Sequence, residues 1–147
     1  MFKQIINPAT GEFTINNDFV VSNTTTINEL ANHFGENKMQ VSDMKNGHVN
    51  YRVDNLKISD FYFIITFYFF NTTITSISFV LKDKPYDASN NWDNFNEQEQ
   101  IKEGKFMEQW MAKQMKGDFK RYDWGKVGTY YDFHNLSTTC NINYTQS

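Results

Sequence analysis

The chain has 147 residues and a formal net charge of −3, from 14 basic and 17 acidic side chains. A chain of this length can bury roughly two thirds of its unfolded surface, so one domain spanning residues 1–147 is expected. The charge balance, without any block of Lys and Arg, argues against a nucleic-acid partner.

Aromatic residues make up 17% of the chain and include 14 Phe, so large rings must supply much of the core. Cys140 is the single cysteine, which rules out an intrachain disulfide. The first residues lack the apolar stretch and the small-residue cleavage site of a signal peptide. These features predict a cytoplasmic protein.

The N-terminal residues predict a hairpin around the turn-forming residues 7–11, followed by a short strand at Phe19–Val21. Thr26 and Glu29 then have the capping-box spacing, in which each side chain satisfies a free backbone N–H at the start of a helix. Apolar residues follow at helical spacing until Gly35, which is a natural stop. The pattern predicts a helix of two turns.

Alternation predicts a half-buried strand at Val49–Val53 and a hairpin formed by Phe61–Phe70 and residues 74–81. The residues of Phe61–Phe70 are apolar on both faces, which predicts a central strand covered on each side by a helix, another layer or a partner. The loop near Asn71 can have two or three residues, and the sequence does not choose. Only about ten consecutive residues are apolar here, half of what a membrane helix needs.

A long helix is predicted from Asn94 or Asn96 to about Lys116, closed by Gly117. Gly104 falls on its apolar side, where it predicts a close approach of the helix to the sheet. The predicted apolar residues on that side are Ile101, Phe106, Met107, Trp110, Met111 and Met115.

Alternation from Tyr122 to Tyr144 predicts a last hairpin, with its turn near His134 and Asn135. Together the elements predict an α+β fold. The sheet is antiparallel, with about five to seven strands, and one long and one short helix pack against it.

The segment from Lys82 to Glu103 combines acidic and aromatic side chains, a composition that suits a protein interface in which aromatics anchor and charges steer a basic partner. The alternative is an acidic helix N-terminus with its aromatics packed inward. The predicted partner-binding residues are Tyr86, Asp87, Trp92, Asp93 and Phe95.

A second candidate site lies near Tyr131, Asp132 and His134, where a carboxylate and an imidazole are two residues apart and Cys140 can lie across the hairpin. This set would suit small-ligand binding or catalysis. The spacing matches no established metal or catalytic motif, and Cys140 is in phase with Ile142, as a small core residue would be. No catalytic residue, metal site or cofactor is predicted.

Trp124-Gly125, Tyr131-Asp132 and the closing Tyr144 resemble a signature of small, uncharacterised bacterial proteins. The resemblance extends less specifically to residues 7–12, 77–80 and 92–93, and it implies no activity. His134 and Cys140 depart from the pattern, which weakens the second candidate site. Small acidic α+β proteins of this type look like immunity proteins that accompany bacterial toxins.

The sequence therefore favours a non-enzymatic protein-binding domain, with an immunity protein that neutralises a basic bacterial toxin as its specific form. The alternative is a ligand-binding or enzymatic domain with a pocket near Tyr131, Asp132 and His134. A third hypothesis is self-association through an uncovered face of the aromatic strand Phe61–Phe70.

Overall fold

The computed structural model describes residues 4–16, 18–35, 38–85, 97–116, 122–132 and 137–145. Two helices and eight strands lie within these ranges. In chain order they are β1 (Phe13–Asn16), β2 (Phe19–Val21), α1 (Ile27–Phe34), β3 (Met39–Asp43), β4 (His48–Ile58), β5 (Phe61–Phe70), β6 (Thr73–Lys82), α2 (Glu97–Gln114), β7 (Gly125–Asp132) and β8 (Ser137–Tyr144).

Six of the strands form one antiparallel sheet in the order β3-β4-β5-β6-β8-β7, and β1 pairs with β2 in a separate two-stranded sheet. The predicted α+β class is thereby confirmed. The N-terminal hairpin is also present, since Ile6 and Phe13 form an antiparallel bridge and Thr14 N–H donates to Ile5 O at 2.8 Å.

The aromatic strand β5 lies inside the sheet, hydrogen-bonded to β4 on one edge and β6 on the other. Phe70 pairs with Thr73, so the β5–β6 loop has two residues, the point that the sequence left open. A shift in register between Tyr68 and Phe69 then brings both Ile74 and Ile77 to the buried face, although three positions separate them.

Both helices and the two-stranded sheet cover the same face of the large sheet. Phe13 of β1 and Trp110 of α2 each contact Phe63 and Phe79, with ring centroids 5.3 to 6.1 Å apart. At the other side of this layer Phe34 of α1 lies 6.0 Å from Phe67, ring centroid to ring centroid. The aromatic core predicted from composition therefore lies between the sheet and this helical layer.

The first helix begins with the predicted capping box. Thr26 Oγ1 accepts from Glu29 N–H at 3.2 Å, and Glu29 Oε1 accepts from Thr26 N–H at 3.3 Å. Leu30 and Phe34 are buried, and Gly35, with φ of 80°, ends the helix while its N–H donates to Ala31 O. The helix is therefore anchored at both ends.

The long helix α2 buries Met107, Trp110, Met111 and Met115, as its periodicity predicts, but Ile101 is 44% exposed. Ile101 lies in the first turns of the helix, on a part of the apolar side that no described element covers, so its position on that side does not bury it. The N-cap and Gly117 lie outside the described residues.

Gly104 is buried where α2 crosses β8, and an added Cβ would collide with the side chain of Thr138. The close approach predicted from this glycine is confirmed. On β7 and β8, Val127 pairs with Ile142 and Thr129 with Cys140, so the last hairpin has the predicted alternation.

Strand β3 was not predicted, and β4 is longer than the predicted Val49–Val53. β3 is an edge strand on which only Met39 is buried, so it lacks the apolar signal of a core strand. β4 continues past an irregularity between Val53 and Leu56, where Asn55 has φ of 52° and interrupts the alternation that predicts strands.

Among the described helices, none has the length and hydropathy required to cross a membrane.

Candidate functional site

No described helix or strand packs on the second face of the large sheet. We call it the open face, and it is formed by every second residue of each strand. On β5 these residues are Tyr62, Ile64, Thr66, Tyr68 and Phe70, which alternate with the buried Phe63, Ile65, Phe67 and Phe69. The sequence predicted that both faces of β5 are covered. The described part of the chain covers one of them.

The open face combines aromatic rings with polar side chains. Tyr62, Ile64 and Tyr68 are half-buried by their neighbours within the sheet, and Phe70 is 43% exposed. Thr66 pairs with Ser78, and Tyr68 pairs with Ser76, so hydroxyl groups separate the rings. A tyrosine can bury part of its ring while its hydroxyl remains in contact with water. Tyr62 and Tyr68 are therefore compatible with a face that is exposed to solvent.

Basic side chains lie at the ends of the aromatic row. Lys57 of β4 is registered opposite Tyr62, and its Nζ lies 5.8 Å from the centroid of that ring, a cation–π geometry. Lys82 of β6 is registered opposite Tyr62 on the other side. At the far end the His48 ring lies 4.8 Å from the Phe70 ring, centroid to centroid.

The charges near the centre of β4 are mutually compensated. Arg52 Nε donates to Asp54 Oδ1 at 2.6 Å, and Gln40 Nε2 donates to Asp54 Oδ2 at 3.2 Å. Both charged side chains are substantially exposed, so this pair adds little stability. Near Tyr62 the flanking residues of the open face are Lys57 and Lys82.

A cleft of about 470 Å³ adjoins this basic end, between the end of β6 and the first half of α2. Its apolar wall includes Phe61 and Phe106, whose ring centroids are 5.4 Å apart. The full lining is Phe61, Leu81, Lys82, Asp83, Lys84, Lys102, Glu103 and Phe106. Sequence reasoning missed the cleft, and it considered an uncovered face of Phe61–Phe70 only as a surface for self-association.

The predicted partner-binding residues Tyr86, Asp87, Trp92, Asp93 and Phe95 lie outside the described residues. They remain a prediction. Strand β6 ends at Lys82 and α2 begins at Glu97, so the chain on either side of the segment borders the cleft.

The second candidate site is not assembled by the described residues. Tyr131 and Asp132 belong to β7, His134 lies outside the described residues, and Cys140 pairs with Thr129 rather than with position 132. Cys140 is fully buried. Within the described ranges, no group of three or more His, Cys, Asp or Glu side chains has a geometry that could hold a metal ion.

Burial, assisted by the negative charge of Glu108, raises the pKa of the Cys140 thiol well above its ordinary value. A raised pKa keeps the thiol protonated and unreactive at neutral pH, because the thiolate is the nucleophile. Cys140 therefore occupies its position as a small core residue.

This pKa shift predicts a loss of stability in mild alkali. In the unfolded chain a thiol loses its proton near pH 8.5, whereas folded Cys140 keeps its proton, so the unfolded state binds fewer protons above that pH. The free energy of unfolding should then fall by up to about 1.4 kcal/mol per pH unit between pH 8.5 and 10. Urea denaturation at several pH values checks this. Cys140→Val should reduce the slope to the smaller contribution that the raised pKa of buried Tyr144 makes near pH 10, and an equal slope in that variant would contradict the assignment.

Residues of the C-terminal signature hold the N-terminal turn. Trp124 Nε1–H donates to Pro8 O at 2.9 Å, and the Tyr144 hydroxyl donates to Gly11 O at 2.9 Å. The Trp124 ring stacks on Tyr122, with centroids 5.1 Å apart and planes 10° apart. These contacts give Trp124 and Tyr144 a structural role, joining the two ends of the described chain.

A scan of protein-family models, a search of curated proteins and a search of solved structures each found no match. The resemblance carried by Trp124, Gly125 and Tyr144 therefore stays a prediction.

Proposed function

We propose that this chain is a non-enzymatic protein-binding domain, that its docking surface is the open face of the sheet, and that its partner presents carboxylate groups. The observation that carries the proposal is the row of rings on β5 with Lys57 and Lys82 on either side of Tyr62. Aromatic residues dominate the binding energy of protein interfaces, and surrounding charges select the partner.

The position of β5 suits it to this role. Because both of its edges are hydrogen-bonded within the sheet, Tyr62, Tyr68 and Phe70 are held on a rigid backbone. A rigid platform loses little conformational entropy when a partner binds. The core under these residues is also well packed, since Phe63, Phe67 and Phe69 are fully buried directly beneath the row.

Charge supports a partner of acidic character. The whole chain carries a net charge of −3, yet Lys57 and Lys82 both lie beside Tyr62 on the open face. Positive groups at this point of an acidic protein attract carboxylates and favour association in one orientation.

An immunity protein that neutralises a bacterial toxin is the specific form of this function that the sequence favours. In that form the acidic segment from Tyr86 to Phe95 would contact a basic toxin. The two candidate surfaces have opposite charge, so charge reversal separates them.

Capture from the source cell with three baits tests the proposal: the wild-type chain, Lys57→Glu with Tyr68→Thr, and Lys105→Glu. Lys105 is exposed on α2, on the opposite side of the sheet, and provides a matched charge change. The wild type and Lys105→Glu should capture the same protein in stoichiometric amount. The open-face variant should bind that purified partner at least about tenfold more weakly.

Three outcomes would overturn the proposal. Capture of no stoichiometric partner would remove the protein-binding function. Equal affinity of all three baits, together with slower association of Asp87→Lys and Asp93→Lys, would move the interface to the acidic segment. Binding of a single-stranded oligonucleotide that is lost in the Lys57→Glu variant would replace the protein partner with nucleic acid.

A further inference from the structure

The outer edge of β7 is not paired with any strand among the described residues. The strand has eight residues, of which Gly125 is already bonded on this edge to Tyr122, whereas β3 at the opposite edge of the sheet has five residues. A long edge strand exposes a row of backbone donors and acceptors that can pair with another chain.

The hydrogen bonds at the start of β7 show which backbone groups are directed outward. Trp124 O accepts from Thr145 N–H at 2.8 Å, toward the β8 side, whereas Gly125 exchanges hydrogen bonds of 2.7 and 3.1 Å with Tyr122. Since neighbouring residues of an antiparallel strand alternate in direction, the N–H and C=O groups of Val127, Thr129 and Tyr131 point away from β8.

We propose that β7 pairs in antiparallel fashion with β7 of a second copy of this chain, about a twofold axis at Thr129. The outward groups of Val127, Thr129 and Tyr131 would then form about six backbone hydrogen bonds between the copies. The inference is independent of the proposed function, because it concerns the edge of the sheet and not its open face.

Charge complementarity fixes this register. With Thr129 opposite itself, Lys126 of each copy is registered opposite Asp132 of the other copy. Two opposite-charge cross-strand pairs result, and such pairs stabilise antiparallel strands. Centring the axis on Gly128 or Tyr130 instead pairs neither residue with an opposite charge of β7.

Shape supports the same register. It places Gly128 opposite Tyr130 of the second copy. Tyr130 is 64% exposed, and no described atom lies within 4 Å of the position that a Cβ of Gly128 would take. The ring of Tyr130 can therefore cover the backbone at Gly128 of the second copy, an arrangement that stabilises glycine on strands.

Pairing of this kind joins the two six-stranded sheets into one continuous sheet. Because the twofold axis of an antiparallel pair is perpendicular to the sheet, both open faces lie on the same side of the dimer. A dimer would thus display two copies of the same surface and bind a multivalent partner with increased avidity.

Disulfide trapping tests the register. Thr129→Cys should form a covalent dimer on mild oxidation, because the two Cα atoms would be about 5.5 Å apart. Lys126→Cys should not, because its two copies would be six positions out of register, about 20 Å. Native Cys140 is registered directly opposite Thr129 on β8 and would compete by forming an intrachain disulfide, so both variants also carry Cys140→Val. Equal trapping of the two variants would overturn the register.

Charge exchange tests the pairing itself by analytical ultracentrifugation of the full chain. Lys126→Glu should weaken dimerisation roughly tenfold, because it creates two like-charge pairs. Adding Asp132→Lys should restore the wild-type dissociation constant to within about threefold, and Lys105→Glu should leave it unchanged. A wild-type chain that stays monomeric at high micromolar concentration would overturn the proposal. So would a dimer that is indifferent to both charge changes.

Discussion

Gly125→Ala is expected to lower the free energy of unfolding by about 3 kcal/mol or more, or to prevent folding. Gly125 has φ of 148°, which side chains rarely adopt, and an added Cβ would overlap the backbone carbonyl of Asn143 on β8. A backbone atom within a sheet cannot move aside without breaking the ladder. The strain would therefore weaken the pairing of β7 with β8, the last two strands at one edge of the large sheet.

Gly128→Ala provides the control on the same strand. No described atom lies within 4 Å of the Cβ position at Gly128. The free energy of unfolding of this variant should therefore lie within about 1 kcal/mol of the wild-type value. Urea denaturation at low protein concentration measures both. Equal stabilities for Gly125→Ala and Gly128→Ala would show that β7 does not approach β8 as closely as the structure has it.

Gln114→Met is expected to lower the free energy of unfolding by about 2 kcal/mol or more. Gln114 is fully buried at the end of α2, and its Oε1 accepts from Ile5 N–H at 2.7 Å and from Ile6 N–H at 2.9 Å. Methionine keeps the volume but removes the acceptor, so two buried donors lose this partner. The N-terminal segment would then lose its attachment to α2.

Gln109→Met is the matched control, since Gln109 is exposed on the same helix and its replacement should change stability by less than about 0.5 kcal/mol. Thermal denaturation of the wild type, Gln114→Met and Gln109→Met measures the difference in stability. Wild-type stability in Gln114→Met would contradict the role of this side chain. A change of equal size in both variants would instead indicate a general effect of methionine on the helix.

Much of the fold follows from periodicity and local chemistry. Alternation located β5, β6 and β8 because each strand has a row of apolar residues in contact with the core, and it located β7, where Val127 is buried beside the exposed Lys126. Thr26 and Glu29 predicted the start of α1 because a capping box needs only four consecutive residues. Gly104 predicted a helix crossing because glycine in a helix interior is costly without such a reason.

The features that were missed depend on contacts between distant parts of the chain. Gln114 resembles any polar helix residue until it meets Ile5, and Trp124 has no visible partner until the fold brings it to Pro8. Edge strand β3 buries only Met39, so it lacks the pattern of a core strand. Such features arise from tertiary packing, which overrides local propensity.

The candidate site was also predictable only in part, because some of its features follow from local pattern and others depend on tertiary packing. The sequence located the aromatic row of β5 but predicted two covers for it, because Tyr62, Ile64 and Phe70 suit a buried face as well as a binding surface. Whether such a face is covered depends on where the remaining elements pack, and the described ones all pack on the other side. The position of Lys57 over Tyr62 also depends on the register between β4 and β5.

Tyrosine nitration, read by mass spectrometry with and without the captured partner, tests the central claim that the open face is the docking surface. In the free protein Tyr62 and Tyr68 should react and the buried Tyr144 should not. In the complex Tyr62 and Tyr68 should become protected, while Tyr122, at the Trp124 contact away from the row, keeps its reactivity. Unchanged reactivity of Tyr62 and Tyr68 in a stoichiometric complex would contradict the proposal.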